Sequence, residues 1–273
     1  GDPLVLLKVD QFDLRLVNMK RSLYADIQLP NVYFRQLAET KNLTFSFSSK
    51  ILIDNDELNV SSLKFRKDDS FIVGNAATRG NIRAFDFQEI NVNLRTHLDL
   101  PQIRQAVLLT RGSVTIPDLR GRMEVDAIIK KTRNSPFSGQ VKLLAKNAGV
   151  DKFTLGNVNL LAQGNDKQAT IDKLVFNNPY GIVRGQGLKL GFGDRIQLLS
   201  GTVEADKAEL GQVLNSVGVK NVPVHLLLTG KVPCNGELSP VLNLKCKGEL
   251  QGTDFSVWPV GRPQKPIVNI QNF

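Results

Sequence analysis

Alternation dominates this chain. In Val183–Glu204, Leu188, Leu190 and Phe192 alternate with Lys189 and Gly191, and Gly193-Asp194 marks a turn. Ile196 and Leu198 then resume the pattern before Ser200-Gly201 restarts it with Thr202 and Val203. A period of two, punctuated by Gly and Asp, predicts antiparallel strands with one apolar and one polar face. The same unit recurs almost from end to end. Phe12, Leu14 and Leu16 alternate with Asp13 and Arg15, as Leu23, Ala25, Ile27 and Leu29 do with Tyr24, Asp26 and Gln28. Leu43, Phe45 and Phe47 carry it on, then Leu63 and Phe65, and then the clearest strand, Ile90–Leu100. Beyond it follow Val114 and Ile116, Met123–Ile129, Val141–Ala145, Phe153–Leu160, Ile171–Phe176, Val224–Leu228, and Leu242 with Leu244.

Three stretches break the alternation and are predicted as short helices: Pro30–Thr40, Pro101–Leu109 and Ala208–Val217. Proline at the start of the second suits the first helical turn, where its missing N–H is no loss. Aligned as 26–40, 98–112 and 204–218, the three resemble an irregular internal repeat, each helix following an alternating strand. The most loop-like stretch, Lys130–Ser138 (KKTRNSPFS), is the expected place of a seam at 130–140 within a single elongated β domain. The tail from Trp258 contains Pro259, Pro263 and Pro266 and is predicted to be irregular or a covered edge.

The apolar sides of these strands form the informative feature, because helices able to cover them are few and short. The expected fold is therefore all-β: an elongated, curled antiparallel sheet, groove-like or an open barrel, with a few short helices. A closed sandwich or barrel would hide its apolar side within itself. A curled open sheet would leave a trough suited to acyl chains. Candidate trough residues are Leu94, Leu98, Leu143, Leu188, Leu190, Phe192, Ile196, Leu198, Leu226 and Leu228, each of which is otherwise plain core.

Composition changes this picture little. The 273 residues, 41% hydrophobic and 22% charged, can build a substantial core, and a net charge of +9 favours anionic surfaces. With one Trp, three Tyr and no dense basic run, nucleic-acid binding is not expected. No apolar run is long enough for a membrane-spanning helix. Gly1-Asp2-Pro3 opens without Met, as a processed chain or a fragment would. Cys234 and Cys246 would face each other across a hairpin turning near Leu238–Val241, giving either a disulfide or two small buried hydrophobes. A disulfide would imply an oxidising compartment.

No catalytic residues, cofactor or metal site are expected. His97 and His225, the two histidines, stand on polar strand faces with no metal-ligand spacing around them. Nucleophile elbow, Walker loop and HExxH are absent. The glycines of GQGLKLGFG (185–193) lead into a strand, where a phosphate loop would lead into a helix.

The stretch GLKLGFGDRIQLLSGTVEADKAELGQVL, followed by VHLLLTGKVPCNGELSPVLNLKCKGEL, resembles the AsmA/TamB family of bacterial envelope proteins. The matching positions are Gly201, Val203, Asp206, Leu210, Val213 and Leu214, then Leu228, Gly230, Val232 and Gly236-Glu237-Leu238. The cadence is best in 140–252 and looser in 1–130. The resemblance implies a periplasmic β-taco protein tethered by an N-terminal inner-membrane helix, which would lie ahead of Gly1. It also implies phospholipid or another acyl-chain lipid, and inner- or outer-membrane proteins, as partners in lipid transport or outer-membrane biogenesis. A compact relative such as the N component of type II secretion, a scaffold in a secretion machine, shares the cadence. The family supplies no catalytic residues.

Overall fold

A computed structural model describes residues 5–19, 22–36, 43–54, 56–81, 86–111, 117–151, 153–216, 223–239, 243–258 and 268–272. Predicted strand positions Val114, Ile116 and Leu242 lie outside them, as do 37–40, Val217 and the three tail prolines. The described residues are all-β with two helices. They divide into two compact units, Gly1–Leu143 and Leu144–Phe273, and the chain passes from one to the other inside a strand.

The first unit holds β1 (Val5–Val9), β2 (Asp13–Met19), β3 (Ser22–Gln36), β4 (Leu43–Asp54), β5 (Glu57–Lys67), β6 (Ser70–Asn81), β7 (Asp86–Asp99), α1 (Leu100–Arg111) and β8 (Leu119–Lys131). From β2 to β8 each strand pairs antiparallel with the next, and β1 pairs with the distal half of β3. β9 (Ser138–Val150) runs across the division. The second unit continues with β10 (Phe153–Asn165), β11 (Gln168–Asn178), β12 (Gly181–Gly191), β13 (Ile196–Glu209), α2 (Leu210–Ser216) and β14 (Val224–Ser239). β15 (Asn243–Cys246) and β16 (Leu250–Val257) share β14 as partner, and β17 (Val268–Asn272) pairs with β16. The expected seam loop is the connection between β8 and β9.

Two of the three predicted helices are present. Asp99 caps α1, its carboxylate accepting the Gln102 N–H at 3.2 Å, while Pro101 occupies the first turn. Buried Ser70 accepts the Asp99 N–H at 2.9 Å and donates to Gln102 at 3.0 Å, fixing the strand-to-helix corner. α2 starts on Glu209, whose carboxylate accepts the N–H groups of Gly211 and Gln212 at 3.0 and 2.7 Å. The first prediction, a helix over Pro30–Thr40, is overturned as far as Gln36, because Pro30 to Gln36 is strand. Leu37 lies outside the described residues, and a bulge breaks the alternation just ahead of Val32: register shifts between Leu29 and Val32, at Pro30-Asn31. Beyond it Val32 pairs with Val9 on one side and Phe45 on the other, and pairing on both edges overrides the local pattern. Of the two readings of the tail, irregular or an edge, its described end fits the edge, since β17 is a strand paired with β16.

In each unit the helix reports that the sheet bends. α1 is in reach of β7, β8 and β3, although three strands separate β3 from β7. Four strand intervals span about 19 Å in a flat sheet, nearly twice a helix diameter, so this sheet curls toward the helix. α2 likewise reaches β10, β13 and β14, although two strands separate β10 from β13, so the second unit also curls toward its own helix.

Glycines set the tightest packing in the second unit. A Cβ on Gly201 would lie 2.8 Å from the Leu188 Cα, and one on Gly185 would lie 2.7 Å from the Leu188 Cδ1. Leu188, 7% exposed, thus fills a socket shaped by two absent side chains. Gly201→Ala should cost about 1–3 kcal/mol by overpacking and Leu188→Ala about 2–5 kcal/mol by leaving a cavity. Denaturant unfolding of the double variant should show a loss smaller than the sum of the two; strict additivity would mean that the socket does not couple them.

Candidate functional site: the apolar sheet faces

Register places the alternating residues in rows that cross the sheets. In the first unit Leu16, Ala25, Ile51, Val60, Ala76, Val92 and Ile129 stand side by side across seven strands, from β2 to β8. On the same face, Leu14, Ile27, Ser49, Leu63, Gly74, Leu94 and Ala127 form a second row, and Leu29, Phe47, Phe65, Ile72, Thr96 and Val125 a third. Leu98 extends the face toward α1, paired with Met123. The opposite face carries the row Asp13, Gln28, Ser48, Lys64, Val73, Arg95 and Asp126. Alternate positions of every strand therefore separate into an apolar and a polar surface.

The apolar face is only partly covered. Most of its side chains are half-buried, and Leu14, Leu16, Leu23 and Ile129 are exposed. Ser70, at the helix corner, is the one side chain less than 2% exposed among the described residues. The one described helix of this unit lies at the end of the sheet where β7 stops. Thr96, 6% exposed, and Thr78 each leave a hydroxyl without a hydrogen-bond partner on this side.

The second unit repeats the arrangement. Leu190, Leu198, Gly236 and Leu244 form one row, and Leu160, Leu174, Gly185, Val203 and Val232 another. Val158, Phe176, Val183, Ala205, Gly230 and Leu250 make a third. Here a small cluster is genuinely buried: Leu188, Leu198, Val232 and Cys234, with Leu190 and Val203 packed against it.

The candidate residues accordingly take different places. Leu94 and Leu98 lie on the half-open face of the first unit. Leu143 is half-buried in β9, at the end of that unit. Leu188 and Leu198 are core, Leu190 borders it, and Leu226 and Leu228 are half-buried on β14. Phe192 and Ile196 flank the β12–β13 turn and are 40% exposed each. Alternation alone could not sort these, because burial depends on which rows meet glycine sockets.

The polar faces are ordered by cross-strand ion pairs. Arg95 donates to Asp126 at 2.7 Å, and this charge-assisted bond pushes the guanidinium pKa further up. His97 stacks on Phe71 and lies 3.3 Å from Glu124, while His225 lies 3.3 Å from the Glu209 that caps α2. Those carboxylates come from neighbouring strands, far away in sequence, and so carry no spacing signal. No group of three or more His, Cys, Asp or Glu side chains occurs among the described residues.

Cys234 and Cys246 are joined by a disulfide. They pair directly across β14 and β15, with Cα atoms 4.2 Å apart, the close approach of facing antiparallel positions. The pairing follows from the hairpin, and of the two readings of the cysteines the bonded one is seen. No helix among the described residues is long and apolar enough to cross a membrane. Comparison with models of protein families, with curated proteins and with solved structures gives no match to this chain.

β15 is exposed along all four residues and is tied to β14 by four paired positions and this bond. Reducing it, or replacing both cysteines by alanine, should lower stability by about 3 kcal/mol for a loop of this length. Hydrogen exchange should show β15 losing protection first. An unchanged denaturation midpoint would mean that the bridge adds nothing to the hairpin.

Proposed function

We propose that this chain is a non-enzymatic protein of the bacterial envelope that holds phospholipid acyl chains along its apolar sheet faces. It serves lipid transport between membranes or outer-membrane biogenesis. The observation that carries the reading is the unbroken row Leu16–Ala25–Ile51–Val60–Ala76–Val92–Ile129, apolar across seven strands and left half-open. A surface of that extent in water calls for an occupant, and flexible hydrocarbon suits a face on which polar groups such as Ser49, Thr78 and Thr96 are sparse. The curl of the first sheet toward α1 supports a trough. Periplasmic placement rests on the AsmA/TamB resemblance and on the disulfide, which suits an oxidising compartment. The reading requires no catalytic group, cofactor or nucleic acid.

A second reading, a scaffold in a secretion or assembly machine, is favoured by β2. This strand pairs with β3 alone among the described residues, and Phe12 beside it with Leu14 and Leu16 in it are 58%, 43% and 58% exposed. Such an edge can accept a partner strand.

Native mass spectrometry with extraction should find phospholipid bound in stoichiometric amount. A photoreactive side chain at Leu94 should capture it, whereas one at Asn93, on the opposite face, should not. Leu190→Asp should release lipid from the second unit while the protein stays folded. A lipid-free mass, or equal capture from both faces, would sink this reading and leave the scaffold.

A further inference from the structure

The β8–β9 hairpin combines two properties that the rest of the first unit keeps apart. From Ala127 to Leu143 the chain carries Lys130, Lys131, Arg133 and Lys142 and no carboxylate. At the same tip Ile128, Ile129 and Phe137 are exposed by 38%, 42% and 43%. Lys131 donates to the Phe87 carbonyl at 2.9 Å and lies over the Phe137 ring at 5.2 Å, which fixes the ring beside the cations. A Ser135 N–H to Thr132 carbonyl bond of 3.0 Å closes the turn. Lys130 and Arg133 form no ion pair with the described residues. Glu57 and Glu89 line one surface hollow with Lys130 and Lys131, but both flank Arg79, which pairs with Glu57 at 3.5 Å and opposes Glu89 in register.

We infer that this hairpin is a membrane-docking tip that seats on an anionic bilayer surface. Phe137 and Ile129 enter the headgroup–acyl boundary, while Lys130 and Arg133 engage lipid phosphates. Charge complementarity selects this occupant: exposed apolar side chains beside Lys130 and Arg133, neither of them ion-paired among the described residues, match a negatively charged interface. A protein partner fits this patch less well, because lysine is depleted at protein–protein interfaces. Ile129 also ends the seven-strand apolar row, so docking shares that one residue with acyl-chain carriage, whereas Lys130, Arg133 and Phe137 lie outside the row.

The test is co-sedimentation of the full chain with vesicles of equimolar phosphatidylglycerol and phosphatidylcholine, and with vesicles of phosphatidylcholine alone. The wild type should bind the anionic vesicles, weakly the neutral ones, and less as salt rises. Lys130→Glu with Arg133→Glu should weaken binding more than about 25-fold, at about fivefold for each cation lost. Phe137→Ala should weaken it roughly tenfold with the salt dependence unchanged. Phe137→Trp should be quenched by brominated lipid. Binding unchanged in these variants, equal binding to neutral vesicles, or tighter binding to a DNA duplex would overturn the inference, as would no binding. Lipid extracted from the same samples keeps the two proposals apart: docking variants should retain their bound lipid, and Leu190→Asp should still dock.

Discussion

Cross-strand register is the constraint on which the other features of this protein depend. Each strand has one apolar and one polar edge of side chains, and a one-residue slip would exchange them. In the first unit that would set Asp26, Lys50 and Asn93 among Phe47, Val92 and Ile129. The ladder holds its phase across seven strands because every pair repeats the same choice. Where a strand carries an extra residue, a bulge absorbs it, as between Leu29 and Val32, between Val60 and Leu63, and between Gln186 and Lys189. Without these shifts the apolar rows would break midway. The bulges are thus what makes the faces continuous, and they increase local twist in sheets that curl.

The second consequence concerns coverage. A large antiparallel sheet normally buries its apolar side against helices or another sheet. Here each unit has one described helix, held at the end of a strand by a capping carboxylate, Asp99 in one unit and Glu209 in the other. That placement stiffens the ends and bends the sheet, yet leaves most of the apolar side chains half-exposed. The second unit compensates in part with Leu188 seated against Gly185 and Gly201, and with the disulfide beside Val232.

Strand identity was legible in the sequence because period-two alternation is a local signal, strongest over Ile90–Leu100 and Leu188–Leu198. The helix after Asp99 was legible from the lapse of alternation and an early proline at Pro101, whereas its cap, Asp99, fell within the predicted strand Ile90–Leu100. Pro30–Gln36 misled because a bulge at Pro30-Asn31 breaks the alternation between Leu29 and Val32, and only the pairing of Val32 with both Val9 and Phe45 reveals the strand. The facing cysteines were readable as a hairpin pair. The contrast between buried Leu188 and exposed Phe192, identical in the pattern, was not, because it depends on how Gly185 packs and on Gly201 in the neighbouring strand. The His97–Glu124 and His225–Glu209 pairs were invisible for the same reason: their partners stand about a strand length or more away in the chain.

The two proposed surfaces make different physical demands, which is why both fit in one small protein. Acyl chains require a long face on which polar groups are few, and alternation supplies one on the same side of successive strands, interrupted only at positions such as Ser49, Thr78 and Thr96. A bilayer interface requires the opposite arrangement, cations and apolar side chains mixed within a few residues. Regular alternation cannot supply that mixture on a single sheet face, but a strand end can: at Ile128-Ile129-Lys130-Lys131 the period of two lapses and both faces carry both kinds of residue. The hairpin tip is therefore where this fold has freedom to build a membrane contact without interrupting the apolar rows.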